Sequence, residues 1–149
     1  MTQAYISIGS NIEAKKNIAK VKKELNQLFI CTFSDNFYSE AEGFEGKDFI
    51  NLVAGFETSL DAVKLTQTLK NLEKKIGRES NQKGMHDRVI DLDLILLGDL
   101  IAQDQGINLP SNDIENCLFV LEPLAQIAKE HLHPVFNISF AEMLKDKLR

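Results

Sequence analysis

Nine residues from Val89 to Leu97 form an apolar run that only two charges interrupt, Asp91 and Asp93. Such a run reads as a buried central strand. Strands alternate faces, so residues two apart point the same way at a spacing of about 7 Å. Both carboxylates therefore share one face, and Leu92, Leu94 and Leu96 are expected on the other, against a core. An ionised carboxylate beside a core is costly, and two of them repel each other, unless a cation compensates. Oxygen-only ligation favours Mg²⁺ over zinc, because Mg²⁺ is commonly held by one or two carboxylates, waters and substrate phosphates. The alternative is an edge strand whose acids are solvated or pair with Arg78 and Arg88, and on the acidic pair alone the two readings stand level.

Around this strand the pattern is regular. Tyr5 to Ser10 alternates, with Ala4, Ile6 and Ile8 on one face, and ends at the turn-favouring Gly9-Ser10-Asn11. Ile18, Val21, Leu25 and Leu28 then make one stripe of an amphipathic helix, and Ser10 with Glu13 has the spacing of a capping box, with a start a few residues later equally open. Thr32 to Ser39 reads as a second strand and Glu40 to Asp48 as a loop. From Phe49 the alternation returns, with Ile50, Leu52, Ala54 and Phe56 on one face and Phe49, Asn51 and Val53 on the other. Leu65, Leu69, Leu72 and Ile76 predict a helix over Leu60 to Ile76, with Gly77 as its C-terminal cap, before a polar loop from Glu79 to Asp87. Asn116 to Glu130 and Ser139 to Leu148 are helical by pattern, with Pro123 breaking or restarting the first. The βαββαβ order is that of a ferredoxin-like α+β fold: an antiparallel sheet with helices packed on it and a C-terminal helical extension. At 149 residues the chain is expected to be one domain over 1–149.

Seventeen Lys and Arg against 22 Asp and Glu leave a net charge of −5, which argues against partners held by bulk charge; neither nucleic acid nor a membrane surface is expected. An anionic ligand must instead be gripped locally. The N-terminus lacks the pattern of a signal peptide, no apolar run nears the roughly 18 residues of a membrane span, and the cytoplasm is the default location. Cys31 and Cys117 stand alone and are expected as buried thiols, while His86, His131 and His133 form no zinc motif and are expected in solvated or capping roles.

Arg78 and Arg88 flank the polar loop ahead of the acidic strand. Arginine pairs bidentately with phosphate and stays charged, so two of them converging on a Mg²⁺ site suit a polyphosphate that is losing a bond, although a single arginine is more often a surface residue. Ile8-Gly9-Ser10-Asn11 is neither a Walker A loop nor a dinucleotide fingerprint, which excludes a conventional P-loop kinase. Phe49 and Asn51 suit stacking on a flat ligand and pairing with a heterocycle edge, but in isolation packing beneath a helix explains them more simply.

Taken together, these residues resemble the 6-hydroxymethyl-7,8-dihydropterin pyrophosphokinase family. The resemblance spans nearly the whole chain, through the blocks Ala4 to Asn11, Phe37-Tyr38, Asp48 to Asn51 running to Glu57 to Leu60, Leu72-Glu73, Gly77-Arg78, Arg88 to Gly98 and Phe119 to Leu124. It implies ATP as co-substrate, a pterin alcohol as acceptor, and diphosphate transfer by attack of the substrate hydroxyl on the β-phosphorus with AMP leaving. It further implies that Asp91 and Asp93 hold two Mg²⁺ ions, that Arg78 and Arg88 bind and stabilise the transferred phosphoryls, and that Glu73 and Leu94 hold the nucleotide. Asn11, Gly43, Phe49, Asn51 and Phe119 would meet the pterin. A monomer is expected.

The chain departs from the family pattern in places. A Trp-Gly-Pro-Arg run is usual before the acidic strand, where this chain has Met85-His86-Asp87-Arg88, and the usual Thr-x-Pro segment is replaced by Glu40-Ala41-Glu42. Ser80, Asn81, Gly106, Ser111, Asn112 and Cys117 stand where basic or aromatic nucleotide contacts are usual. Two other readings follow from these changes: a diverged relative acting on another small alcohol, and a noncatalytic ligand-binding protein on the same scaffold. Retention of both aspartates and both arginines counts against the second, because a binding module gains nothing from a costly carboxylate pair.

Overall fold

Alternating apolar residues in three long strands give this sheet two buried faces, each covered by a different set of helices. The computed structural model describes residues 1–39, 49–80 and 90–149, apart from the side chains of residues 78–80. Its elements are β1 (Thr2–Ser10), α1 (Ala14–Leu28), β2 (Thr32–Phe33), β3 (Phe37–Ser39), β4 (Phe49–Thr58), α2 (Ala62–Ser80), β5 (Asp91–Leu97), α3 (Asp113–Asn116), α4 (Leu118–Ile127) and α5 (Phe140–Lys147). The sheet order is β2-β4-β1-β5, with β3 also on β4, and every pairing is antiparallel. With β2 and β3 counted as one interrupted strand, this is the ferredoxin-like order that the pattern predicts. No helix among the described residues is long and apolar enough to cross a membrane.

One core joins Ala4, Ile6, Ile8, Ile50, Leu52, Ala54, Phe56 and Leu92 to the α1 stripe Ile18, Val21 and Leu25 and the α2 stripe Leu65, Leu69, Leu72 and Ile76. Leu28, assigned to the α1 stripe by spacing, is 52% exposed; the stripe ends at Leu25. On the opposite face Tyr5, Val53, Ile95 and Leu96 pack with Ile114, Val120, Leu121, Leu124, Phe140 and Met143 of α3, α4 and α5. Truncating a fully buried aromatic such as Phe56 to Ala would cost roughly 3 to 5 kcal/mol by analogy with other cores.

Several local expectations give way to tertiary structure. The second strand is split because Ser34 intervenes: its N–H donates to Val53 O and its Oγ accepts from Val53 N–H, both at 2.9 Å. Phe37 lies four positions after Phe33 while their partners Asn51 and Ala54 are three positions apart, so the chain bulges there. In β5 a bulge falls between the pairs Tyr5–Leu96 and Ile6–Leu94, so Leu96 turns to the second core and does not share a face with Leu92 and Leu94. The Ser10–Glu13 capping box is not formed. Glu13 instead adopts φ 41 without a side-chain cap, and Ser10 Oγ donates to Ile12 O at 3.4 Å.

Gly77 does not end α2, which runs on to Ser80; a Cβ at Gly77 would meet nothing within 4 Å. The interruption predicted at Pro123 lies instead at Cys117, whose extended backbone separates α3 from α4, and Pro123 is buried inside α4 where packing offsets its missing N–H. Ser139 caps α5 by accepting from Glu142 N–H at 3.1 Å, as the Ser-x-x-Glu spacing requires. Cys31 and Cys117 are half-buried rather than buried, and neither forms a disulfide. Burial pushes the Cys31 thiol up to about 11. Of the solvated and capping roles, His133 takes the capping one: it is 2% exposed and its Nδ1 accepts two backbone N–H groups of the turn. His86 lies outside the described residues.

Candidate active site

β1 finishes and β5 begins at one end of the sheet, on whose second face the described helices α3 to α5 pack. Residues paired across antiparallel strands point to the same side, so two rows of side chains can be read there. One is Phe37–Asn51–Gly9–Asp91 and the next is Val53–Ser7–Asp93. Asp91 is half-buried and Asp93 exposed. Gly9 supplies no side chain between Asn51 and Asp91: a Cβ there would lie 3.3 Å from Asn51 Oδ1 and 3.9 Å from Phe49 Cδ1. Asn51 is 6% exposed and donates through Nδ2 to Ser39 Oγ at 2.8 Å, which fixes the direction of its amide.

Phe49 is half-buried on the same face of β4 as Asn51, while Phe119 lies in the first turn of α4, the helix packed on β3 and β4, and is 40% exposed. Asn11 ends this same edge and is 1% exposed.

At the free edge of β5, Glu73 reaches from α2 and accepts the Leu92 N–H through Oε2 at 2.7 Å. Its carboxyl is pushed up to about 7, first by burial and then by Asp91 and Asp93, against the opposing pull of the Leu92 bond and Lys70. The three acids therefore make a region of excess negative charge. Among the described residues, no three acidic, histidine or cysteine side chains gather into a closed metal cage. An open pair of carboxylates in a negative potential fits Mg²⁺, which keeps waters and phosphate oxygens in its remaining positions.

A cleft of about 260 Å³ adjoins this edge. Thr66, Leu69 and Lys70 of α2, Asp93 and Leu94 of β5, and the segment Gly106 to Leu109 with Ser111 and Asp113 form its walls. Gly106 sits at φ +77, a conformation that favours glycine, so its place in the chain answers to the turn. Asp93 and Leu94 thus stand in one cleft, with Glu73 bonded to the strand that forms its wall. Arg78 lies on the helical backbone of α2 rather than beyond its end, and its side chain is outside the description, as are all of Gly43, Arg88 and the Glu40–Asp48 and Met85–Arg88 departures.

Sequence reasoning missed Lys70. Its signal was present, since Lys70 and Glu73 are three residues apart on a helix and share a face. Asn108 was missed too, and there no periodicity marked it, because it belongs to an irregular segment.

The electrostatics carry an expected result. Between pH 4.5 and 7 folded Glu73 holds a proton that the unfolded chain has released, so its contribution to stability falls as pH rises through that window. Glu73→Gln keeps an acceptor for the Leu92 N–H and never ionises. In chelator-treated protein the variant should match wild type near pH 4.5 and exceed it at pH 8 by about 1 kcal/mol, after discounting for solvent screening. Paired urea titrations at the two pH values measure the difference, and an equal or less stable variant at pH 8 contradicts it.

The model of the 7,8-dihydro-6-hydroxymethylpterin-pyrophosphokinase family matches residues 5–129. The 2-amino-4-hydroxy-6-hydroxymethyldihydropteridine pyrophosphokinase of Haemophilus influenzae is 32% identical over 150 residues, covering 97% of this chain and 92% of its own. The Aquifex aeolicus protein of the same name is 31% identical over 140 residues, covering 92% and 87%. A solved structure described as HPPK-DHPS in complex with substrates superposes with a TM-score of 0.66 at 12% identity, over 98% of this chain and 43% of that one, which bears on the fold alone. With a family match over most of its length and near-full-length relatives above 30% identity, this chain belongs to the 7,8-dihydro-6-hydroxymethylpterin-pyrophosphokinase family.

Proposed function

We propose that the chain transfers diphosphate from ATP to the hydroxymethyl group of 6-hydroxymethyl-7,8-dihydropterin at the acidic end of β5, releasing AMP. Family membership supports the reaction. The observation that carries the location is the shared face of Asp91 and Asp93, with one carboxylate in the cleft and the other in a row with Gly9 and Asn51. Cleft and row are the two half-sites a two-substrate transfer needs.

In this reading ATP occupies the cleft against Leu94 and Lys70, and Glu73 fixes the strand edge beside it. Phe49 and Phe119 take the faces of the pterin, Asn51 pairs with its edge, and Asn11 and Gly43 complete that pocket. Asp91 and Asp93 hold Mg²⁺, two ions being expected, and the metal when bound neutralises charge on the phosphates. Arg78 and Arg88 grip the transferred phosphates and stabilise charge as it shifts toward the leaving oxygen. The substrate hydroxyl oxygen forms a bond to the β-phosphorus, the bond from that phosphorus to the α,β-bridging oxygen breaks, AMP departs with that oxygen, and the hydroxyl proton passes to solvent. No side-chain nucleophile is needed, and positioning carries most of the acceleration. The enzyme is placed in the cytoplasm, a reading in keeping with two cysteines that form no disulfide, and is read as a monomer.

The test is incubation with ATP, Mg²⁺ and the pterin alcohol while AMP and ADP are quantified separately. AMP should form in step with pterin diphosphate and only when the pterin is present. Acceptor-independent ADP as the sole product would overturn the assignment.

A further inference from the structure

Among the buried polar residues of the described chain, His133 is the only titratable one. It sits in the turn between α4 and α5, where its backbone N–H donates to Ile138 O and its carbonyl accepts from Asn137 N–H, both at 2.8 Å. Its ring Nδ1 accepts from the N–H of Val135 at 3.1 Å and of Phe136 at 3.2 Å. A ring nitrogen that accepts carries no proton, so the neutral imidazole must hold its proton on Nε2. Burial favours that neutral form, with Glu115 pulling the other way. The same tautomer removes the Nε2 lone pair that a metal would need.

The Nε2–H finds no hydrogen-bond partner, and neither does the buried Oε1 of Glu115 that faces it at 3.7 Å. A buried donor and a buried anionic acceptor, each costly when unpaired, point at one another. A movement of about 0.7 Å would bring them to hydrogen-bond length. Glu115 belongs to α3, whose four residues are too few to hold a helix in place unaided. Upstream, Ser111 and Asp113 form one wall of the cleft, and Ser111 N–H is tied to Ile95 O at 3.0 Å. Downstream, Cys117 leads into α4, of which Phe119 is the second residue.

We propose that His133 is a positioning residue: its Nε2–H donates to Glu115 and ties the C-terminal turn to α3, setting the cleft wall and Phe119 relative to the acidic strand. This rests on the reading of the cleft as the ATP site and of Phe119 as a pterin contact.

Glu115→Ala and Glu115→Gln in the full chain test it, because Glu115 is partly exposed and its replacement leaves the His133 turn intact. Glu115→Ala should raise KM for ATP and for the pterin by about tenfold, with a smaller change in kcat, as a displaced binding wall predicts. Glu115→Gln, which keeps an acceptor, should restore both values to near wild type. Nitrogen-resolved NMR of the histidine rings should show His133 protonated on Nε2, with that signal moving in Glu115→Ala. Unchanged KM values in Glu115→Ala, even with a lower melting temperature, would overturn the proposal; so would failure of Glu115→Gln to rescue, or a proton found on Nδ1. A wild type that forms no pterin-dependent AMP would defeat the underlying functional reading instead, and the NMR result would then decide the tie by itself.

Discussion

Asp91→Asn and Asp93→Asn should each reduce pterin-dependent AMP formation by about a thousandfold, equivalent to roughly 4 kcal/mol of transition-state stabilisation, while leaving the fold intact. Asparagine keeps the shape of aspartate and removes a charge and an anionic ligand. The local electrostatics set the sign of the stability effect: Asp91 and Asp93 both push the Glu73 carboxyl up, so removing either relieves repulsion on it. Melting temperatures of metal-free protein should therefore hold or rise. The competing view, in which the acids serve as structural partners of Arg78 and Arg88, predicts the reverse, because buried guanidinium groups would be left uncompensated. Melts with and without Mg²⁺ and a nonhydrolysable ATP analogue separate the two. Destabilised variants, together with a wild type indifferent to Mg²⁺ and nucleotide, would sink the metal assignment.

What the amino-acid pattern revealed of this site was whatever depended on period two. Asp91 and Asp93 on one face, Asn51 with Phe49, and the apolar set Ala4, Ile6 and Ile8 all follow from strand alternation, and antiparallel pairing then places them in rows. The pattern was silent wherever the period is broken by a contact from elsewhere in the chain. The β5 bulge turns Leu96 to the other core, and nothing local in an all-aliphatic run marks the extra residue. Gly77 resembles a helix stop because glycine is costly in helix interiors, yet α2 continues through it; its buried residues Leu65, Leu69, Leu72 and Ile76 bind the helix to the sheet over several turns. Of the two roles open to His133, solvated or capping, the fold takes the second. Nothing in the sequence around it chooses between them, and only the turn at Val135 and Phe136 supplies the donors that make its burial tolerable. Lys70, which enters the cleft beside Asp93, depended on knowing which face of α2 meets β5.

Gly9→Val should weaken pterin use far more than it weakens the fold. Gly9 lies in β1 between two hydrogen-bonded neighbours, and valine is a good strand residue, so the backbone has no need of glycine on conformational grounds. Space is the constraint. Even a Cβ would stand 3.3 Å from Asn51 Oδ1, and the two methyl groups of valine extend further over the row that joins Asn51 to Asp91. The amide would have to leave its 2.8 Å bond to Ser39, and the surface between amide and carboxylate would be filled. KM for the pterin should rise by about a hundredfold, on the scale expected when a bound reactant is displaced by about 1 Å. Gly9→Ala should fall between valine and wild type. ATP meets the cleft on the far side of Asp93, so calorimetric affinity for the nonhydrolysable analogue with Mg²⁺ should change by less than about threefold, a difference of well under 1 kcal/mol. Steady-state kinetics for each substrate, with that titration, make the comparison. A valine variant with wild-type pterin KM would show that the acceptor does not lie over the Asn51–Gly9–Asp91 row. Equal losses of pterin and nucleotide affinity would instead show that the two half-sites are not separate.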